Sequence, residues 1–109
     1  MANDFVFKEK YDVYDLVRVI NALRSEGGCP WDIEQTHESI RKNLIEETYE
    51  TIEAINKGDA EMLREELGDV LMQVIFHAQI EDEKGVFNID DVADENCRKI
   101  LRAFVESTK

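Results

Sequence analysis

Two short acidic runs stand out in this 109-residue sequence, Glu46-Glu47-Thr48-Tyr49-Glu50 and Glu65-Glu66-Leu67-Gly68-Asp69. Each holds a pair of carboxylates at i and i+3, Glu47 with Glu50 and Glu66 with Asp69. On a helix, residues so spaced lie one turn apart on nearly the same face. Two helices facing each other through these runs would bring four carboxylates together. Two such charges about 4 Å apart repel by about 4 kcal/mol at an effective dielectric of about 20. The cluster therefore needs a cation or shared protons. Hard oxygen ligands that leave room for water and phosphate suit Mg²⁺, with Mn²⁺ as the alternative ion. The competing reading is ordinary charge on solvated helix faces, a serious rival where 25 of 109 residues are acidic.

Helical phase helps to separate the acids. With Ile40 set at zero and about 100° per residue, Ile40, Thr51, Leu44, Ile55, Thr48, Ile52 and Ile45 fill one arc of a helix over residues 37–57. Glu47 falls at the edge of that arc, at about 340°, and Glu50 at about 280°. Glu46 and Glu53 fall on the solvent side. Over residues 60–83, Leu63, Leu67, Val70, Leu71, Val74, Ile75 and Ala78 form one apolar arc, and Met62, Phe76 and Ile80 a second. Glu66 sits beside the first arc. Asp69 lies amid the second, on a strip shared with Gln73 and His77. An acid among apolar neighbours is rarely buried without a partner, so Asp69 carries the most information. Two apolar arcs on one helix predict two packing partners and hence a subunit interface. Gly68 costs about 1 kcal/mol against Ala in a helix interior, which a closely approaching helix or ligand would explain.

Two further helices complete an all-α reading with short connections. Val13, Leu16, Val17, Ile20 and Leu23 recur at helical spacing over residues 11–25. Ile89, Val92, Ala93, Cys97, Ile100, Leu101 and Phe104 do so over residues 89–106, with Asn96 on the same face. Thr36, Asp59 and Asn88 are the expected N-caps, and Gly58 and Gly85 the expected helix ends. Residues 26–36, Glu-Gly-Gly-Cys-Pro-Trp-Asp-Ile-Glu-Gln-Thr, form the main break. Trp31 within it reads either as a hydrophobic plug or as a wall for a nucleobase, since every base offers a π-face. Lys99 and Arg102 read either as solvated cations near a helix C-terminus or as phosphate contacts. Residues 1–10 read as a loose arm, with Phe5 and Phe7 as docking groups, ahead of a single domain over residues 1–109.

Composition narrows the classes of function. A net charge of −12 opposes non-specific binding to nucleic acid or to anionic membranes. No apolar run approaches the length of a membrane span. The start of the chain lacks a charged n-region followed by an apolar h-region, so no signal peptide is expected. Cys29 and Cys97 are too few for a disulfide framework, which predicts a reducing, cytoplasmic setting. Glu34 and His37 have the Glu-x-x-His spacing of di-iron bundles, but at a helix start and without the second such motif. His77 reads as a hydrogen-bonded core histidine. Nothing in the sequence places Cys29 beside His37 as a nucleophile and base, and no glycine-rich phosphate loop is present.

The run Gly28-Cys29-Pro30-Trp31-Asp32, then Glu34-Gln35-Thr36, Glu46-Glu47-x-x-Glu50 and Glu65-Glu66-Leu67-Gly68-Asp69, resembles the MazG nucleotide pyrophosphohydrolases. The resemblance covers about residues 13–102. It implies a four-helix bundle whose core is completed by dimerisation, as a homodimer or homotetramer. It implies hydrolysis of nucleoside triphosphates to monophosphate and pyrophosphate with Mg²⁺, by water attack at the α-phosphorus. The implied metal ligands are Glu47, Glu50, Glu66 and Asp69, with Glu47 or Glu46 as general base. Lys99 and Arg102 match the family's closing Lys-x-x-Arg, after which this chain reads Ala103-Phe104-Val105. The Gly-Cys-Pro-Trp-Asp run favours the broad MazG type over a narrow dUTP, dCTP or phosphoribosyl-ATP hydrolase. A catalytically silent helical module that binds a nucleotide or protein is the rival outside enzymology. The family's domain also occurs fused to others, so the chain is either free-standing or part of a larger protein.

Overall fold

The computed structural model describes residues 5–108. Among them are five helices and no strand: α1 Val13–Arg24, α2 Pro30–Glu34, α3 His37–Lys57, α4 Ala60–Glu83 and α5 Ile89–Ser107. The expected helices are all present. The addition is α2, one short helical stretch inside the segment read as an unbroken connection. Pro30 sits at its first turn, where a fixed φ favours the helix and the missing N–H costs nothing. None of the described helices is long and apolar enough to cross a membrane.

Boundaries follow local hydrogen bonding. Thr36 accepts from the Ser39 backbone N–H at 3.1 Å, and Ser39 returns a bond to the Thr36 N–H at 2.8 Å. Asn88 and Asp91 form the same reciprocal box at the start of α5. Asp59 accepts from the Met62 N–H at 3.1 Å ahead of α4. Gly58 closes α3 in the left-handed conformation at φ 67°. Before α1, Asp12 and Asp15 cap each other, and the buried Asp15 also takes Lys8 at 2.7 Å and Arg18 at 2.6 Å. Those partners, Lys8 first, then the Asp12 N–H and Arg18, hold the Asp15 carboxyl well below its usual range. The chain ahead of α1 is thus tied down at Lys8, while Phe7 is exposed and Phe5 half-buried. The part of the expected arm over residues 1–4 lies outside the described residues.

The chain divides into two compact units between His77 and Ala78, α4 running from one into the other. In the first unit the core is built on Ile20, Ile40, Ala54, Ile75 and Phe76. On α3 the buried and half-buried positions are His37, Ile40, Leu44, Glu47, Thr51 and Ala54, spaced alternately three and four apart. The apolar arc expected from the sequence is therefore split. Its other half, Ile45, Ile52 and Ile55, is exposed, because the stripe is wider than one neighbouring helix covers. Leu67 and Val74 on α4 are exposed too. In the second unit, α5 buries no residue, and Ile100, Leu101, Phe104 and Val105 are all more than half exposed. Asn96, expected to need a partner within that face, is exposed.

A pair of histidines joins the start of α3 to α4. His37 and His77 have ring planes 5° from parallel, centroids 5.0 Å apart and Nδ1 atoms 2.7 Å apart. Parallel rings with nitrogens that close cannot lie face to face, since stacking would hold all atom pairs at van der Waals separation. They meet edge to edge, through an in-line N–H···N hydrogen bond that admits one proton between the nitrogens. His77 Nε2 is shut off from solvent without a partner. Burial, then the nearby His37, lowers the His77 pKa from its ordinary 6.5. The unfolded chain therefore binds this proton more readily, and the His77 contribution to stability is lost as pH falls below 6.5. Urea midpoints should drop more between about pH 7.5 and about pH 5.5 in the wild type than in His77→Phe. Equal drops would show that the pair carries no such linkage.

Candidate active site

The site is built wholly from the first unit, by α3 and the early turns of α4. Glu47 lies on the inward strip of α3, where its carbonyl accepts from Thr51 Oγ1 at 2.7 Å. Glu66 and Asp69 stand one turn apart on α4. One carboxylate oxygen from each of Glu47, Glu66 and Asp69 lies within 4.8 Å of the other two. Glu66 is buried and the other two are half-buried. Glu47 Oε2 and Glu66 Oε2 are closed off from solvent and have no hydrogen-bond partner.

The electrostatics follow from this crowding. Burial, then the charges of Asp69 and Glu50, raises the Glu47 pKa above its usual value. Glu66 is pushed up to about 7 by hydrogen bonding with Glu50, by burial, and by the charges of Glu50, Asp69 and Glu47. Glu50 is itself exposed and stands outside the close triad, yet it acts directly on Glu66. Glu46 and Glu65 are exposed, as their helical phase requires. Among the described residues no Lys or Arg is recorded in a salt bridge to these carboxylates. Hard, crowded and unpartnered oxygens are what a divalent cation would satisfy, so the donor set fits a metal ion.

Other expected site residues are placed less centrally. Trp31 on α2 is 62% exposed, so no described residue of this chain covers it as a plug would be covered. Lys99 and Arg102 are exposed on α5 in the second unit, Lys99 lining a surface cavity with Phe87, Asp91 and Asn96. A Cβ at Gly68 would meet nothing within 4 Å, so the close approach expected there is not made by any described residue. Sequence reasoning placed Gln73 on the Asp69 strip but did not foresee its burial, 6% exposed with an unpartnered Oε1. It also missed the contacts of Arg24, which donates to the Asp32 and Gln35 carbonyls and whose only advance signal was a cation in the last turn of α1.

Comparison with known proteins settles the family. Residues 35–103 match the MazG nucleotide pyrophosphohydrolase domain. The chain belongs to the MazG family. The match spans both acidic runs together with Lys99 and Arg102, and begins just after Trp31. Similar MazG relatives include the nucleoside triphosphate pyrophosphohydrolase/pyrophosphatase MazG of Thermotoga maritima, 53% identical over 88 residues. That alignment covers 81% of this chain and 34% of the relative. The nucleoside triphosphate pyrophosphohydrolase of Mycobacterium tuberculosis is 50% identical over 79% of this chain and 26% of its own length. That of Escherichia coli is 47% identical over 80% of this chain and 34% of its own. The chain thus spans about a third or less of the length of these relatives.

A cation at the triad has a pH signature. Glu66 holds its proton in the folded state up to about pH 7, against an ordinary 4.5. Its contribution to metal-free stability is full below 4.5 and is lost as pH rises through about 7. A cation competes with that proton, so its stabilising effect grows over the same window. The thermal shift on adding Mg²⁺ should be larger at about pH 8 than at about pH 5.5. A flat response at both pH values would count against the triad as a metal centre.

Proposed function

We propose that this chain is a Mg²⁺-dependent nucleoside triphosphate pyrophosphohydrolase, converting an NTP or dNTP and water to the monophosphate and pyrophosphate. The observation that carries the reading is the convergence of Glu47, Glu66 and Asp69 with two buried, unpartnered oxygens, in a chain of the MazG family. The names of its relatives support the reaction class. In this reading Glu47, Glu66 and Asp69 hold the ion, with Glu50 beside Glu66. A bound divalent ion would supply charge neutralisation for the triphosphate and a lowered pKa for nearby water. The proton released by the attacking water passes to a carboxylate. Glu47, on the inward strip beside the other acids, is the acceptor in this reading, with the exposed Glu46 as the alternative.

Trp31 serves as the nucleobase wall, and Lys99 and Arg102 as phosphate contacts. The exposed Ile45, Ile52, Leu67, Ile100 and Phe104 favour a homodimer or homotetramer in which these apolar strips are covered. Two free cysteines agree with a reducing, cytoplasmic setting. Nucleotide-pool cleaning is the physiological role that suits the chemistry. Pyrophosphate release measured across a panel of NTPs and dNTPs, with Mg²⁺ and with Mn²⁺, tests the assignment. Asp69→Asn should lower turnover by more than about a hundredfold with unchanged helical circular dichroism. Full activity in that variant would overturn the site.

A further inference from the structure

We propose that Arg24 is a positioning residue for nucleotide binding, holding the Trp31 segment in register with the Asp69 face of α4. The inference rests on the reading of Trp31 as the nucleobase wall. Helix α2 has five residues, no side-chain cap and no buried residue. A helix that short has no stability of its own, so its orientation must be imposed from outside. Arg24 imposes it. Its Nη1 donates to the Asp32 carbonyl at 2.6 Å and to the Gln35 carbonyl at 3.0 Å, at the C-terminal end of α2. The same guanidinium lies 5.1 Å from the centroid of the Phe76 ring on α4.

These contacts form one chain of constraint. Gln35 donates from Nε2 to the Trp31 carbonyl at 2.9 Å, and its Oε1 accepts from Ser39 Oγ at 2.8 Å. Fixing Gln35 through Arg24 therefore fixes Trp31. On the other side, Phe76 follows Asp69 by two turns of α4 on the same face, about 10 Å along the axis. Arg24 thereby ties the aromatic face to the helix that carries the carboxylates. The loop leading into α2 is equally close-fitting. A Cβ on Gly28 would lie 2.4 Å from the Ala22 carbonyl oxygen, and the Cys29 N–H donates to the Leu23 carbonyl at 2.9 Å. An arginine meant for phosphate would present its fork to solvent; here Nη1 is committed to backbone carbonyls. Lysine keeps the charge but not the planar guanidinium, whose Nη1 donates to both carbonyls while its Cζ lies over the Phe76 ring.

Steady-state kinetics and Trp31 fluorescence test this together, since Trp31 is the sole tryptophan. Arg24→Lys should raise KM for the nucleotide by about tenfold, the effect of losing one charged hydrogen bond, with kcat within about twofold. Trp31 anisotropy should fall in the nucleotide-free protein. If Arg24→Ala loses helical circular dichroism, Arg24→Lys and Arg24→Gln carry the test. Unchanged anisotropy, or a loss of kcat at constant KM, would overturn the proposal. A raised KM in Trp31→Ala with none in Arg24→Lys would sink the role of Arg24 while sparing that of Trp31. No change in KM for Trp31→Ala would remove the nucleobase reading and this inference with it.

Discussion

Crowding of three carboxylates, one buried and two half-buried, is the constraint on which the rest of this structure depends. Glu47, Glu66 and Asp69 are held closer than water-screened acids would settle, and two of their oxygens have neither solvent nor partner. In the metal-free chain the crowding favours retained protons: hydrogen bonding with Glu50, then burial, then the charges of Glu50, Asp69 and Glu47 push the Glu66 pKa up to about 7. A divalent ion relieves it without protons. The fold accepts an arrangement that costs stability, and such arrangements cluster at functional sites.

The surrounding structure keeps that arrangement from relaxing. The Thr36 cap starts α3 in a fixed phase, and the His37–His77 bond pins its first turn to α4 beyond the carboxylates. Ile40 and Ala54 are buried on α3, and Ile75 and Phe76 on α4. Without those anchors, α3 and α4 could separate and let each carboxylate reach water. The Arg24 contacts extend the same rigidity to the short α2 segment. Apolar residues are left exposed on α3, α4 and α5.

How much of this was legible in the sequence follows from what each signal depends on. Caps and helix ends depend on local chemistry, and Thr36, Asp59, Asn88, Gly58 and Gly85 all mark real boundaries. The inward turn of Glu47 and the outward turn of Glu46 and Glu65 follow from helical phase alone. Phase was too coarse for Glu50, which is exposed although it acts on Glu66. It also failed for the apolar arc of α3, since periodicity marks a face but not how much of it a neighbour covers. Phase says as little about Trp31, which is 62% exposed. Arg24 and the histidine pair were hidden because their partners are distant in sequence or are backbone carbonyls, which carry no residue signature.

Calorimetric titration of the protein with Mg²⁺, in two buffers of different ionisation enthalpy at about pH 6.5, tests the central claim most directly. At that pH Glu66 still carries most of its proton. The account predicts ion binding accompanied by release of a substantial fraction of a proton, with the release lost in Glu66→Gln. Binding heats identical in both buffers, or proton release unaltered by Glu66→Gln, would contradict a cation seated on the Glu47, Glu66 and Asp69 carboxylates.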